Sequence, residues 1–217
     1  MKIDLHCHSH FSDGSATFKQ IVKLLTNEKI KHFSITDHDF YGGKLNAFFL
    51  PENLISYSGI EISAKDYKTN KKVHLLGYSF NPDHKRLKEY TKHYFNIREK
   101  NSLDIINRLI KAGYKIELDD FAERINNKLP IYKQHIMEKL VEKGYTEIIY
   151  GHLFHTFREQ GIFQELKYIS YQDAMNLLKE IEAISFLAHP AIYDNFDILK
   201  DLIDLGLKKV KNKVRIY

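Results

Sequence analysis

The chain has 217 residues, 43% hydrophobic and 28% charged, with a formal net charge of +5 and a pI near 9.0. No apolar run approaches the roughly 18 residues a membrane helix needs, the N-terminus MKIDLHCH enters a strand-like pattern without a signal-peptide layout, and a single cysteine excludes an internal disulfide. The expectation is a cytoplasmic globular protein with no membrane partner, whose positive balance favours an anionic partner such as phosphate or nucleic acid.

In chain order, Ile3–His8 reads as a strand. Thr17–Lys29 reads as a helix, with Thr17 and Gln20 as a capping box and Phe18, Ile21, Val22, Leu24 and Leu25 as the apolar stripe. His32–Thr36 is a second strand and Gly43–Phe49 a short helix. Leu54–Ser63 and Val73–Ser79 read as further strands joined by the hairpin-like DYKTNKK. Strand and helix alternating at this spacing argue for α/β units with a largely parallel sheet. From about His84 to Glu182 the pattern turns helical: Leu87–Lys111, Asp119–Asn126, Tyr132–Lys143 closing at Gly144, and Tyr171–Glu182 behind Ser170 and Asp173. Strand character returns at Ala183–Ala188, with a helix at about Phe196–Leu205. The α/β layer, residues 1–83 and 183–217, is thus interrupted by a mostly helical insertion over 84–182.

The stretch HCHSHFSDG carries three histidines at alternate positions, then an aspartate before glycine. Side chains alternate faces along a strand, so His6 and His8 point one way and Cys7 the other. The cysteine reads as a packed small hydrophobe and His10 as a surface or supporting residue. Histidines recur where later strands end: His38 in ITDHD, His74 in VHLLGY and His189 in FLAHP. Glu61 sits between two isoleucines in GIEIS, where burial is costly unless a cation pairs with it. With Asp13, these are six or seven candidate ligands at strand ends, and imidazole nitrogens with carboxylate oxygens suit Zn, Mn or Fe.

The series HCHSHFSDGS, ITDHD, SGIEIS, VHLLGY and LAHP resembles the PHP (polymerase and histidinol phosphatase) family of metal-dependent phosphoesterases. The likeness is greatest to the subgroup that removes the 5′-phosphate from nucleoside 3′,5′-bisphosphates and trims short RNA from its 5′ end, with YKQHIMEKLVEKGY resembling its insertion motif. The resemblance implies a distorted (β/α)7 barrel with a substrate-capping helical insertion and two or three divalent ions. His6, His8 and Glu61 would hold the first, a bridging Glu61 with His74 and His189 the second, and Asp13 with His38 the third. It also implies His135 near the substrate; a histidine at the mouth, His135 or His10, could protonate the leaving oxygen, and Arg98 is either a phosphate contact or a surface arginine on a long helix. The partner implied is a small phosphorylated substrate, a nucleotide or short RNA; no DNA duplex is expected.

One family feature has no counterpart. Relatives end the site on an Asp-x-His pair, whereas here no histidine follows His189 and the last acidic residue is Asp204. The expectation is a barrel incomplete at its C-terminus, by truncation or frameshift near Gly206, with a genuine short variant or a degenerate relative as the other readings. Val210–Tyr217 could supply a replacement strand without a ligand. The functional alternatives are a protein that binds phosphate or nucleotide without cleaving it, and a histidinol-phosphate phosphatase.

Overall fold

The computed structural model describes residues 2–42 and 50–211. The expected helix Gly43–Phe49 lies outside these residues, as do positions 212–217 of the expected last strand. β1 (Lys2–Cys7) runs parallel to β2 (Ile30–Ile35), connected through α1 (Phe18–Asn27). The capping box starts α1: Thr17 N–H donates to Gln20 Oε1 at 2.7 Å, and Gln20 N–H donates back to Thr17 Oγ1 at 3.4 Å. Ile21 and Leu25 seat the helix on Cys7, Ile30 and Phe33, so the cysteine is packed in a hydrophobic cluster. Leu24, read as part of the stripe, is exposed.

The stretch read as one strand over Leu54–Ser63 is two. β3 (Ile55–Ser56) pairs with β2, and β4 (Gly59–Asp66) starts a second sheet. The break has a steric cause. Gly59 passes so close to β2 that a Cβ there would lie 2.0 Å from Ser34 Oγ and 3.0 Å from Ile35 O. β4 then forms an antiparallel hairpin with β5 (Lys71–Tyr78), whose turn is tied by Asp66 accepting from Lys68 N–H and Thr69 Oγ1.

α2 (Lys85–Lys111), α3 (Ala122–Asn126), α4 (Lys133–Glu142) and α5 (His152–Glu159) follow. Then come β6 (Ile169–Ser170), α6 (Tyr171–Glu180), β7 (Ile184–Ala188), the single turn α7 (Pro190–Tyr193), α8 (Leu199–Asp204) and β8 (Lys209–Lys211). Among the described residues the first sheet has strand order β1-β2-β3 and the second β6-β4-β5-β7-β8. The second sheet is mixed rather than largely parallel, because β5 is antiparallel to both β4 and β7. An isolated parallel bridge between His38 and Glu61 joins the sheets, and the described strands do not close into a barrel.

The chain divides into two compact units, Met1–Lys92 with Tyr168–Tyr217, and His93–Lys167. α6 belongs to the first, where it packs on β4, β5 and β7. The second has its own core, built by Ile105, Ile106 and Leu109 of α2 against Ile136, Met137 and Leu140 of α4 and Phe157 of α5. Among the described residues, no helix is long and apolar enough to cross a membrane.

Candidate metal centre

β4 carries the acid at the middle of the centre. Nearly every residue from Gly59 to Asp66 is buried, so both faces of the strand are covered and the usual alternation is lost. Glu61 is fully buried there and Ile60 and Ile62 occupy the opposite face. Five imidazoles surround the carboxylate, and they sort by oxygen. Oε2 faces His6 Nε2 at 2.9 Å, His8 Nε2 at 2.9 Å and His38 Nδ1 at 3.6 Å. Oε1 faces His74 Nδ1 at 3.0 Å and His189 Nε2 at 2.8 Å. Asp13 stands to one side, 3.4 Å from His8 Nδ1 and 3.9 Å from His38 Nε2.

Each group is aimed by local structure. His6 lies in β1 and His8 just beyond it, so both turn away from the face that buries Cys7. Asp13 ends a tight loop in which Ser9 O accepts from both Ser12 N–H and Gly14 N–H. His38 follows β2 at the bridge to Glu61. His189 has φ +29°, a strained backbone for a non-glycine residue immediately before proline. That conformation costs of order 1–3 kcal/mol and directs Nε2 onto Glu61. Tyr193, at the end of α7, packs its ring on His74 and His189 with centroids 4.9 and 5.3 Å apart.

The electrostatics fit a cation site. Burial alone would push Glu61 up, but His38, His74, His6 and the hydrogen bond from His189 hold it well below the usual carboxylate range. Burial disfavours charge on His8 too, yet Glu61 and Asp13 outweigh it and raise that imidazole to about 9. His38 is different: burial dominates and lowers it to about 3, so it is neutral and offers lone pairs at physiological pH. Burial would raise Asp13, but His38 and His8 bring it below its ordinary value. Among the described residues, three groups offer ligand atoms within 4.8 Å of one another: His6, His8 and Glu61; His8, Asp13 and His38; and His38, Glu61 and His74. Two of these share the buried Glu61 carboxylate and the third uses Asp13, and each pairs two imidazoles or more with no more than one carboxylate, which matches the ligand preferences of Zn, Mn and Fe.

Two aspartates were not singled out from the sequence, and both hold the site's loops. Asp37 accepts from Ser9 N–H at 2.8 Å, Ser9 Oγ at 2.7 Å and Ser12 Oγ at 2.6 Å, anchoring the loop that carries Asp13. Asp39 accepts from Ser63 N–H at 2.8 Å and Tyr90 Oη at 2.6 Å, tying the turn after His38 to β4 and α2. Their signal was the acid-histidine-acid run in ITDHD.

His135 and Arg98 lie in the helical unit, and both are buried. His135 is at the start of α4, where its Nδ1 accepts from Tyr132 N–H at 2.9 Å. Arg98 lies on α2 with its guanidinium carbon 4.1 Å above the centre of the Tyr132 ring. His10 is partly buried and its ring lies tilted against that of Phe11, with centroids 4.4 Å apart.

The model of the PHP domain matches residues 4–186. A phosphoribosyl 1,2-cyclic phosphate 1,2-diphosphodiesterase from Eggerthella lenta is 33% identical over 94% of this chain and 79% of its own length. A 3′,5′-nucleoside bisphosphate phosphatase from Chromobacterium violaceum is 25% identical over 88% of this chain and 68% of its own. Among solved structures, an amidohydrolase from Chromobacterium violaceum with bound sulfate superimposes with a TM-score of 0.81 at 23% identity, covering 97% of this chain and 76% of that one. The histidine and acid series read from the sequence, the fold and these matches agree: the chain belongs to the PHP family of metal-dependent phosphoesterases.

Proposed function

We propose that the chain hydrolyses a phosphate ester on a small ribose-based substrate, a nucleoside 3′,5′-bisphosphate or the 5′ end of a short RNA. The observation that carries the metal assignment is the division of Glu61, one oxygen toward His6 and His8 and the other toward His74 and His189. A carboxylate so placed suits a bridge between two ions, with His6 and His8 completing one and His74 and His189 the other. Asp13 and His38 would hold a third. When bound, such ions acidify water and neutralise phosphoryl oxygens. The protein's own part is to keep His38 neutral by burial and to hold the loop of Asp13 and the turn after His38 in place through the Asp37 and Asp39 anchors. From the helical unit, Arg98 would meet the phosphate and His135 would protonate the leaving oxygen.

The nucleotide reading draws support from a cavity of about 200 Å³ beside the Asp13 loop, lined by Phe11, Phe40, Tyr41 and Tyr57 among others. Aromatic faces of this kind suit a base. It also draws on relatives named for nucleotide and RNA substrates. A second reading, opening of a cyclic ribose phosphate diester, is favoured by the 33% identity to the Eggerthella lenta protein across almost the whole chain. Product release with Mn²⁺ separates them on four compounds: a nucleoside 3′,5′-bisphosphate, a mononucleotide, a phosphoribosyl 1,2-cyclic phosphate and histidinol phosphate. The proposal expects fastest turnover of the bisphosphate. Preference for the cyclic ester transfers the assignment to the second reading. Metal binding without turnover of any compound makes the chain a phosphate-binding protein.

A further inference from the structure

Tyr132 touches both residues of the helical unit that the proposed function assigns to the phosphate, and by different means. Its backbone N–H points at His135 Nδ1, 2.9 Å away. A backbone amide is only ever a donor, so Nδ1 must present its lone pair. A neutral imidazole has one proton, which therefore sits on Nε2. The bond repeats the back-reaching half of a capping box at the start of α4, so the element that begins the helix also selects the tautomer. On the other side, the Tyr132 ring lies under Arg98, 4.1 Å from guanidinium carbon to ring centre, and meets the His135 ring edge-on at 85°. Ser102 Oγ lies 2.9 Å from Arg98 O and 2.5 Å from Ile131 O, locking α2 to the residue before Tyr132. Arg98, Tyr132 and His135 are all nearly buried, so their rotamers are set by packing.

We propose that Tyr132 is a positioning residue, whose amide fixes His135 as the Nε2–H tautomer and whose ring carries Arg98. The pair becomes a preassembled two-donor clamp for a phosphate group. Both donors, one neutral and one cationic, are then ready before the substrate arrives, which removes an ordering cost from binding. A His135 protonated on Nδ1 would instead aim a lone pair at the anion and repel it. The identity of the anion rests on the phosphoesterase reading; the tautomer does not.

The test uses the full chain loaded with Zn²⁺, which is diamagnetic. Long-range ¹H–¹⁵N correlation near pH 8, where an ordinary imidazole is neutral, separates protonated from lone-pair ring nitrogens. His135→Gln assigns the signals by their loss. The expected result is a protonated Nε2 and a lone-pair Nδ1, with Nε2 moving as inorganic phosphate is added. Tyr132→Leu keeps the amide and loses the ring, so the tautomer persists while phosphate affinity falls about 2- to 30-fold, the range of a cation–π contact. Tyr132→Phe keeps ring and amide and retains the signature. Tyr132→Pro deletes the amide and gives mixed tautomers. A protonated Nδ1 in the unsubstituted chain overturns the proposal, as does a His135 spectrum indifferent to phosphate, and both are read on the unsubstituted chain, with His135→Gln needed for the assignment alone. If no ester is hydrolysed while signature and phosphate response persist, the substrate assignment fails and Tyr132 keeps its role. If turnover is seen with an Nδ1–H signature, Tyr132 alone loses it.

Discussion

Gly14 is where sequence, loop geometry and metal site meet, and Gly14→Ala tests all three. The need for glycine is spatial; its backbone is not left-handed. A Cβ at this position would lie 2.5 Å from His8 O, 2.7 Å from His8 C and 3.0 Å from Ser9 C. All three are backbone atoms, so no side chain can swing aside. Overpacking costs about 1–3 kcal/mol when side chains yield, and backbone opposition puts this case near 3. For a chain of this size 1 kcal/mol is about 2–4 °C of melting temperature, so the expected loss is about 6–12 °C. The displaced atoms belong to the metal site. His8 itself moves, and Gly14 N–H loses its bond to Ser9 O, which closes the loop carrying Asp13. Loss of such support typically costs 10- to 100-fold in metal affinity. Thermal melts of chelated protein and competition against a metal indicator give the two numbers, with the neighbouring exposed Ser15→Ala as control. A melting point within about 1 °C of the unsubstituted chain, with metal affinity unchanged, would refute the packing argument.

Other consequences are equally specific. Glu61→Gln keeps the shape of the side chain and removes its charge, so the metal content of dialysed protein, read by elemental analysis, should fall by two equivalents. Unchanged content would take Glu61 out of the ligand set. Asp37→Asn replaces an acceptor of three hydrogen bonds by a group with one oxygen, and should lower stability by about 1–3 kcal/mol in denaturant titrations. An m-value-independent shift smaller than 0.5 kcal/mol, roughly the floor for a lost hydrogen bond, would mean the anchor is dispensable. In the chelated protein, stability should peak near the ordinary histidine value, about pH 6.5. His8, raised to about 9, contributes stability fully present below 6.5 and lost as pH climbs through 9. His38, lowered to about 3, acts in the opposite sense: its unfolded form takes a proton below 6.5 and draws the chain open. Acid then removes the contribution of Glu61, whose folded-state value is depressed. A profile that rises steadily from pH 6.5 to 9 contradicts the His8 assignment.

The sequence exposed the chemical identities of the site better than its supports, and the reason is physical. A metal ligand must be one of a few residue types, so histidines at the ends of apolar runs stand out; an acid flanked by isoleucines does too, because an unpaired buried carboxylate is costly. β4 itself misleads on this point: GIEISAKD alternates apolar and polar residues as a half-exposed strand would, and only the burial of both faces shows that Glu61 is not solvent-facing. A supporting donor or acceptor, by contrast, is any serine, tyrosine or backbone amide that long-range pairing brings near. Ser63 N–H and Tyr90 Oη reach Asp39 from 24 and 51 residues away, and nothing local announces them. The same holds for the sheet. The β4–β5 hairpin was legible because its turn residues are contiguous. The break at Tyr57–Ser58, by contrast, depends on how closely Gly59 passes Ser34, an encounter between segments 25 positions apart. α5, too, was missed: its buried Phe157 finds its partners, Tyr114 and Phe163, only after the helical unit has folded.

The split of Glu61 follows from this division between ligand and support. The Oε2 group, His6, His8 and His38, comes from β1 and the end of β2. The Oε1 group, His74 and His189, comes from β5 and the end of β7. The first set is carried by one sheet and its edge, the second by the other, and the bridge His38–Glu61 is where the sheets join. One buried carboxylate at that junction therefore faces ligands from both sheets at once. Its charge stabilises the fold only while cations, whether imidazolium or metal, sit on both sides. Under the proposed function, metal binding and the joining of the two sheets are expected to be linked. Metal should raise the melting temperature of the unsubstituted chain in a concentration-dependent way, by RT ln(1 + [M]/Kd), and should do so far less in Glu61→Gln. Equal stabilisation of both proteins would separate the metal site from the sheet junction and dissolve the link.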